Sequence, residues 1–129
     1  MKTITRIMLD QWNMKDIDWL GYKITRNNPY TFHHIQKREH GGKEIVSNGA
    51  IITKNPHEYI HLIEIKDIEM YIYLNNILKE INNQGYMPIY RQYKAIDSIL
   101  SQFEREHCSD RTKKGKLLIK EEYTKRLIK

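Results

Sequence analysis

The sequence predicts an α+β fold, a two-stranded hairpin followed by several helices. Three observations carry that expectation. β-branched and aromatic residues gather in Tyr30 to Gln36 and again in Glu44 to Thr53, with Gly41-Gly42 between them, as in two strands joined by a glycine-containing loop. Asn55-Pro56 follows at once and reads as an N-cap with proline at the first helical position, where a missing N–H costs nothing. Apolar residues then recur at helical spacing in two stretches separated by Gly85.

Taken in order, Met1 to Tyr22 carries Ile4, Ile7, Met8, Trp12, Ile17, Trp19 and Leu20 at mixed spacings, which fits either a short helix or irregular chain covering a core. Asn27-Asn28-Pro29 is turn chemistry, so a new element should begin near Tyr30. After the two strands, a helix from Pro56 should reach about Ile65, with a break at Lys66-Asp67. A second helix is expected over 68–83, its apolar face made of Ile68, Ile72, Leu74, Ile77, Leu78 and Ile81. A third should run from Pro88 to about Glu106 on Ile89, Tyr93, Ile96, Ile99, Leu100 and Phe103, and a last one from Leu117 to Leu127. Tyr71, Tyr73, Tyr90 and Tyr93 read as packing residues rather than base-stacking platforms, because they fall at helical spacing. The chain divides into a single domain over 1–110, with a hairpin-and-helix core at 30–62 and a helical extension at 66–106, and a basic tail or helix at 111–129.

The 129 residues suffice for one core, and a hydrophobic fraction of 40% separates the chain from disordered ones. No apolar run reaches the roughly 18 residues that span a bilayer, and the first ten residues lack a secretory layout, so a cytoplasmic protein with no membrane partner is expected. The single cysteine, Cys108, cannot build a Cys-x-x-Cys zinc knuckle, so any bound metal must be held by histidine and oxygen. Residues 111–129 hold 8 Lys/Arg against 2 Asp/Glu, and residues 1–110 hold 14 of each, so the whole net charge of +6 lies in the tail. A cluster such as Arg111, Lys113, Lys114 and Lys116 neutralises phosphates and would supply sequence-independent affinity for nucleic acid.

Four of the six histidines, His33, His34, His57 and His61, fall within 29 residues. His57 and His61 are four apart on the expected helix, which puts both imidazoles on one face and lets them chelate one ion. His33 or His34, delivered by the hairpin, would complete the set and leave positions open for water and a phosphate oxygen. The residues alone do not assign the two separate roles, because neighbours on a regular strand face opposite ways, and an irregular strand end is required to bring both to one site.

Together, Tyr30-Thr31-Phe32-His33-His34-Ile35, Gly41-Gly42, Asn48, His57 and His61 resemble the HNH (ββα-metal) endonuclease family, in the His-x-x-x-His sub-pattern of colicin-type DNases. The match includes the nine-residue step from Asn48 to His57, the apolar Ile52 midway in it, and the double glycine after the histidine pair. It covers about residues 30 to 62. The resemblance implies a ββα-metal core carrying C-terminal helices and a DNA endonuclease or nickase that leaves 5′-phosphate and 3′-hydroxyl ends. By position, it implies that His33, His57 and His61 hold one divalent ion, that His34 is the general base, and that Asn48 ties the hairpin loop and orients that base. Imidazole ligands suit Zn²⁺ or Ni²⁺ best, while an open site also accepts Mg²⁺ or Mn²⁺. Lys37, Arg38 and Lys43 in the hairpin loop, with Arg111, Lys113 and Lys114 in the tail, are the expected contacts to DNA phosphates.

Two departures from the family pattern stand out. Thr31 occupies a position where some relatives carry an acid, and the cysteine pairs that staple many HNH domains with structural zinc are missing, so the later helices must stabilise the core. The small, stand-alone motif fits a phage-encoded enzyme. A binding protein that keeps the fold without cleavage, occupying DNA or a defence protein, is the rival expectation, and the oligomeric state is left open.

Overall fold

A computed structural model describes residues 1–107, and these form a mixed helix and strand fold. Helix α1 spans Thr3–Gln11, strands β1 (Tyr30–His34) and β2 (Gly49–Thr53) pair in antiparallel register, and helices α2 (Lys54–Lys66), α3 (Ile68–Gln84) and α4 (Tyr90–His107) follow. Tyr30 faces Thr53, His33 faces Ala50 and His34 faces Gly49. No described helix is long and apolar enough to cross a membrane. Cys108, the expected helix Leu117–Leu127 and the basic residues Arg111, Lys113 and Lys114 lie outside the described residues.

The undecided first segment resolves into both of its alternatives, α1 and then irregular chain over 12–29. That irregular chain is held by Asp18, whose side chain is fully buried. Asp18 Oδ1 accepts from the amides of Leu20 and Tyr22, and Oδ2 accepts from the amide and hydroxyl of Thr53 at the end of β2. A buried carboxylate is tolerable only when it is hydrogen-bonded in this way, and burial still pushes its pKa upward. All five residues of β2 are buried, because the strand is covered on both faces. Trp12, Trp19, Leu20, Ile51, Ile60, Ile63, Leu74, Leu78, Ile81, Ile96 and Phe103 share one apolar core with it.

Several boundaries differ from the sequence expectation, each for a visible reason. The second strand starts at Gly49 rather than Glu44, since Val46–Asn48 forms a 3₁₀ turn that widens the hairpin. Helix α2 starts at Lys54, two residues before Pro56, and Asn55 is not its cap. Its first amides are satisfied from outside, Lys54 N by the Pro29 carbonyl and Asn55 N by Asn28 Oδ1, while Pro56 sits within the first turn, where no intrahelical acceptor is lost. Helix α3 begins with Asp67 capping Met70 N and ends at Gly85, which adopts the left-handed backbone that closes helices.

The face of α3 is rotated from the expected one. Ile68 and Ile72 are more than half exposed, whereas Met70, Tyr71, Leu74, Leu78 and Ile81 are buried. The cause is the hairpin loop, whose carbonyls need donors: Asn75 donates to the Ile35 carbonyl, Lys79 to that of Ser47, and Asn82 to those of Val46 and Gly49. These three polar side chains, spaced four and three residues apart, turn one stripe of α3 to the loop. Of the four tyrosines, Tyr71 and Tyr93 pack in the interior, while Tyr73 and Tyr90 are exposed.

Candidate metal centre

Strand β1 alternates its side chains, so Thr31 and His33 face the helices while Phe32 and His34 face α1. On the helix side, α2 follows β2 without a linker and brings its first turns over β1. His57 then meets His33: His33 Nδ1 lies 3.4 Å from His57 Nε2. His61, one turn on, stacks on His57 with ring centroids 4.8 Å apart, and its centroid is 6.4 Å from that of His33.

The 3.4 Å separation can be compared with what an ion requires. Two nitrogens bound to one metal at about 2.0–2.1 Å and near-tetrahedral angles lie about 3.3–3.4 Å apart. His33 and His57 already stand at that spacing. His61 does not complete a three-nitrogen set as it lies, because its half-exposed ring is turned toward Glu64, 3.8 Å from Nδ1 to Oε1. Among the described residues, the three ligand-type side chains whose ligand atoms lie within 4.8 Å of one another are instead Asp67, Glu106 and His107, a largely exposed cluster.

Protonation suits ligation at His33 and His57. Burial lowers His33 to about 4 and His57 to about 3, with the neighbouring histidines adding to the effect, so both rings are neutral near pH 7. A neutral imidazole has a lone pair to give. At His57 the tautomer is set by Thr31. Thr31 Oγ1 donates to the Ile52 carbonyl at 2.5 Å, which uses its one proton, so at 2.8 Å from His57 Nδ1 it can only accept. Nδ1 therefore carries the hydrogen and Nε2 is bare. The position that looked like a missing acid holds the histidine by a hydroxyl.

Asn48 stands where the hairpin widens. Its Oδ1 accepts from Gln36 N, and its Nδ2 donates to the carbonyls of Gln36 and Lys43, so one side chain staples both sides of the loop. Gly42 makes room for this: a Cβ there would lie 1.8 Å from the Gln36 carbonyl oxygen. Gly41 is left-handed with φ of 86°, as the end of the short turn at Arg38–His40 requires.

His34 is paired in regular register, so the irregular strand end expected to bring it beside His33 is not present. It packs edge-on against Phe32, and its Nε2 is buried with no hydrogen-bond partner. Burial lowers its pKa as well. Even so, His34 lines a cleft of about 230 Å³ together with His33, His57, His61, Lys37, Arg38 and Tyr71. Four histidines thus border one cavity.

No protein-family model, curated protein or solved structure matches this chain. Its chemistry rests on the side chains themselves.

Of the loop cations, Lys37 is engaged with Glu64 at 2.7 Å and Glu39 at 3.2 Å, and these partners raise it to about 12. Arg38 and Lys43 are exposed. Asn75, Glu64 and Tyr71 also belong to the site's surroundings and carry no signal in the sequence motif. Asn75 Oδ1 lies 3.0 Å from His33 Nε2, Glu64 stands beside His61, and Tyr71 is buried with its ring 6.5 Å from that of His33.

Proposed function

We propose that the chain is a metal-dependent endonuclease or nickase of the HNH type, hydrolysing DNA phosphodiester bonds in a ββα-metal core. One observation carries the reading: the imidazole nitrogens of His33 and His57 face each other at the spacing of two ligands on one divalent ion. The hairpin, the helix that follows it without a linker, and the Asn48 staple supply the surroundings that the family resemblance implies.

His33 and His57 would hold the ion with His61, whose half-exposed ring would turn from Glu64 to reach it. When bound, a divalent ion supplies Lewis-acid stabilisation of negative charge on a phosphoryl oxygen and a departing 3′ oxygen. An all-imidazole set favours Zn²⁺ or Ni²⁺, with Mg²⁺ and Mn²⁺ as alternatives. His34 is the proton acceptor for the attacking water. Its lowered pKa keeps it unprotonated at neutral pH, and with Nε2 buried, Nδ1 is the nitrogen that takes the proton. Asn48 keeps the loop closed around the cleft and so holds Arg38 and Lys43 where they meet phosphates. Arg111, Lys113 and Lys114 would add affinity.

The test is supercoiled plasmid incubated with Mg²⁺, Mn²⁺, Ni²⁺ or Zn²⁺. Wild type should nick or linearise it, and His34→Ala, folded and with metal affinity intact, should not. A second reading is favoured by the buried Nε2 of His34: a binding protein on the same scaffold, with cleavage lost. Full metal occupancy and DNA binding without cleavage under any ion would establish that one and end the nuclease proposal.

A further inference from the structure

Helix α3 lies outside the hairpin-and-helix unit, yet it reaches the candidate metal centre through one side chain. Asn75 Nδ2 donates to the Ile35 carbonyl at 2.7 Å, which fixes the orientation of the amide. Its oxygen, 3.0 Å from His33 Nε2, can only accept. A hydrogen on Nε2 of neutral His33 then makes the shorter of its two possible contacts, 3.0 Å to Asn75 against 3.4 Å to His57, and leaves Nδ1 bare.

His57 is held the opposite way round. Thr31 fixes its hydrogen on Nδ1 and leaves Nε2 bare. The two bare nitrogens are the pair that stand 3.4 Å apart. With no proton between them, two lone pairs oppose each other in a half-buried site. That arrangement is unfavourable alone and is relieved by a cation placed between them.

We infer that Asn75 is a positioning residue that locks His33 as the Nε2–H tautomer and so presents its Nδ1, opposite the Thr31-locked His57, as one half of a preset two-nitrogen clamp for a divalent transition metal. The inference rests on the metal-centre reading and gives it an outer shell that the sequence motif lacks. Outer partners of this kind orient a ligand ring and strengthen its basicity, and their loss typically weakens metal binding about 10–100-fold. The alternative arrangement, with the hydrogen on Nδ1 of His33, would donate to His57 Nε2 over the longer 3.4 Å but set a bare Nε2 against the Asn75 oxygen at 3.0 Å. Turning the amide over to relieve that contact would oppose its oxygen to the Ile35 carbonyl.

The test uses the full chain in two measurements. Side-chain ¹⁵N NMR at pH 7 on metal-free protein reads the tautomer, with the His33 signals assigned by their loss in His33→Gln. Titration with Co²⁺ alone, followed by its visible absorption, reads the affinity. Wild type should show His33 protonated at Nε2 and bare at Nδ1. Asn75→Leu should give a tautomer mixture and a Co²⁺ Kd raised about 10–100-fold, whereas Asn75→Gln, which keeps a neutral amide with both acceptor and donor, should restore the Nε2–H tautomer and most of the affinity. A His33 protonated at Nδ1 in wild type, or an Asn75→Leu protein with tautomer and Kd unchanged, overturns the inference. Should Asn75→Leu fail to fold, the tautomer in wild type and Asn75→Gln decides it, and Nδ1–H in either refutes it. Failure of wild type to bind Co²⁺ removes the metal reading, while the NMR measurement still judges the role of Asn75.

Discussion

Replacing Asn48 by alanine isolates the staple of the hairpin loop. The side chain makes three hydrogen bonds, one accepted from Gln36 N and two donated to the Gln36 and Lys43 carbonyls. Each such bond is worth about 0.5–1.5 kcal/mol net. Asn48 is only partly buried, so water replaces some of the loss, and an overall cost of about 2 kcal/mol follows. Alanine fits the 3₁₀ turn at Val46–Asn48 without strain, so the change reads the hydrogen bonds alone. Asn48→Asp sharpens the test. It keeps the acceptor for Gln36 N but turns its second oxygen on two carbonyls, which disfavours the ionised form and raises its folded-state pKa. A raised pKa means that stability is present below the unfolded value and is lost as pH rises through the folded one. Asn48→Asp should therefore be at least as damaging as alanine at pH 7 and recover toward wild type on acidification. Equilibrium urea unfolding with a chelator present measures all three proteins. An Asn48→Ala protein within about 0.5 kcal/mol of wild type, the range of a neutral surface change, would refute the staple.

Three further outcomes follow from the same geometry. His33 has a folded-state value of about 4 against an ordinary 6.5, so metal-free stability is present above pH 6.5 and falls by about 3 kcal/mol as pH drops to 4. His57 acts in the same direction, and His33→Gln should flatten the slope of urea midpoint against pH; an unchanged slope would remove burial of His33 as its cause. Asp18→Ala would strip acceptors from three buried backbone amides and one hydroxyl, at about 1–3 kcal/mol for each orphan, enough to leave the chain unfolded by circular dichroism, whereas a cooperative, near-native melt would contradict the anchoring role. Gly42→Ala must push the Gln36 backbone aside and should lower the unfolding free energy from urea titration by about 1–3 kcal/mol, while a neutral substitution would mean that the close approach is not obligatory.

The hairpin and the three helices after it were legible because their signals are local. Gly41-Gly42, Pro29 and Gly85 mark breaks by backbone chemistry that acts within a few residues, and the structure places turns or ends at all of them. The errors fall where a distant partner overrides the local signal. Asn55 has the look of an N-cap, but Asn28 and Pro29 satisfy the helix start from a turn more than 20 residues earlier. Ile68 and Ile72 have the look of a core stripe, but the loop carbonyls of Ile35, Ser47, Val46 and Gly49 select a different face of α3. Periodicity identifies a helix without identifying which polar groups its neighbours leave unsatisfied.

The candidate site divides along the same line. The meeting of His33 with His57 was accessible from spacing, because a strand followed directly by a helix leaves few places for the side chains to go. Which nitrogen each ring presents was not. That depends on Thr31, whose only proton is committed to the Ile52 carbonyl, and on Asn75, whose amide is oriented by Ile35, 40 residues away. Thr31 compared with a family pattern is an acid lost; in place, it sets a tautomer without adding charge. An acid at that position would also accept from His57 Nδ1, but its negative charge would raise the pKa of both buried histidines and favour their protonated forms, which bind no metal. With Thr31 and Asn75 both neutral, the outer contacts select tautomers while leaving His33 and His57 unprotonated, and a proton competes weakly for the space between them.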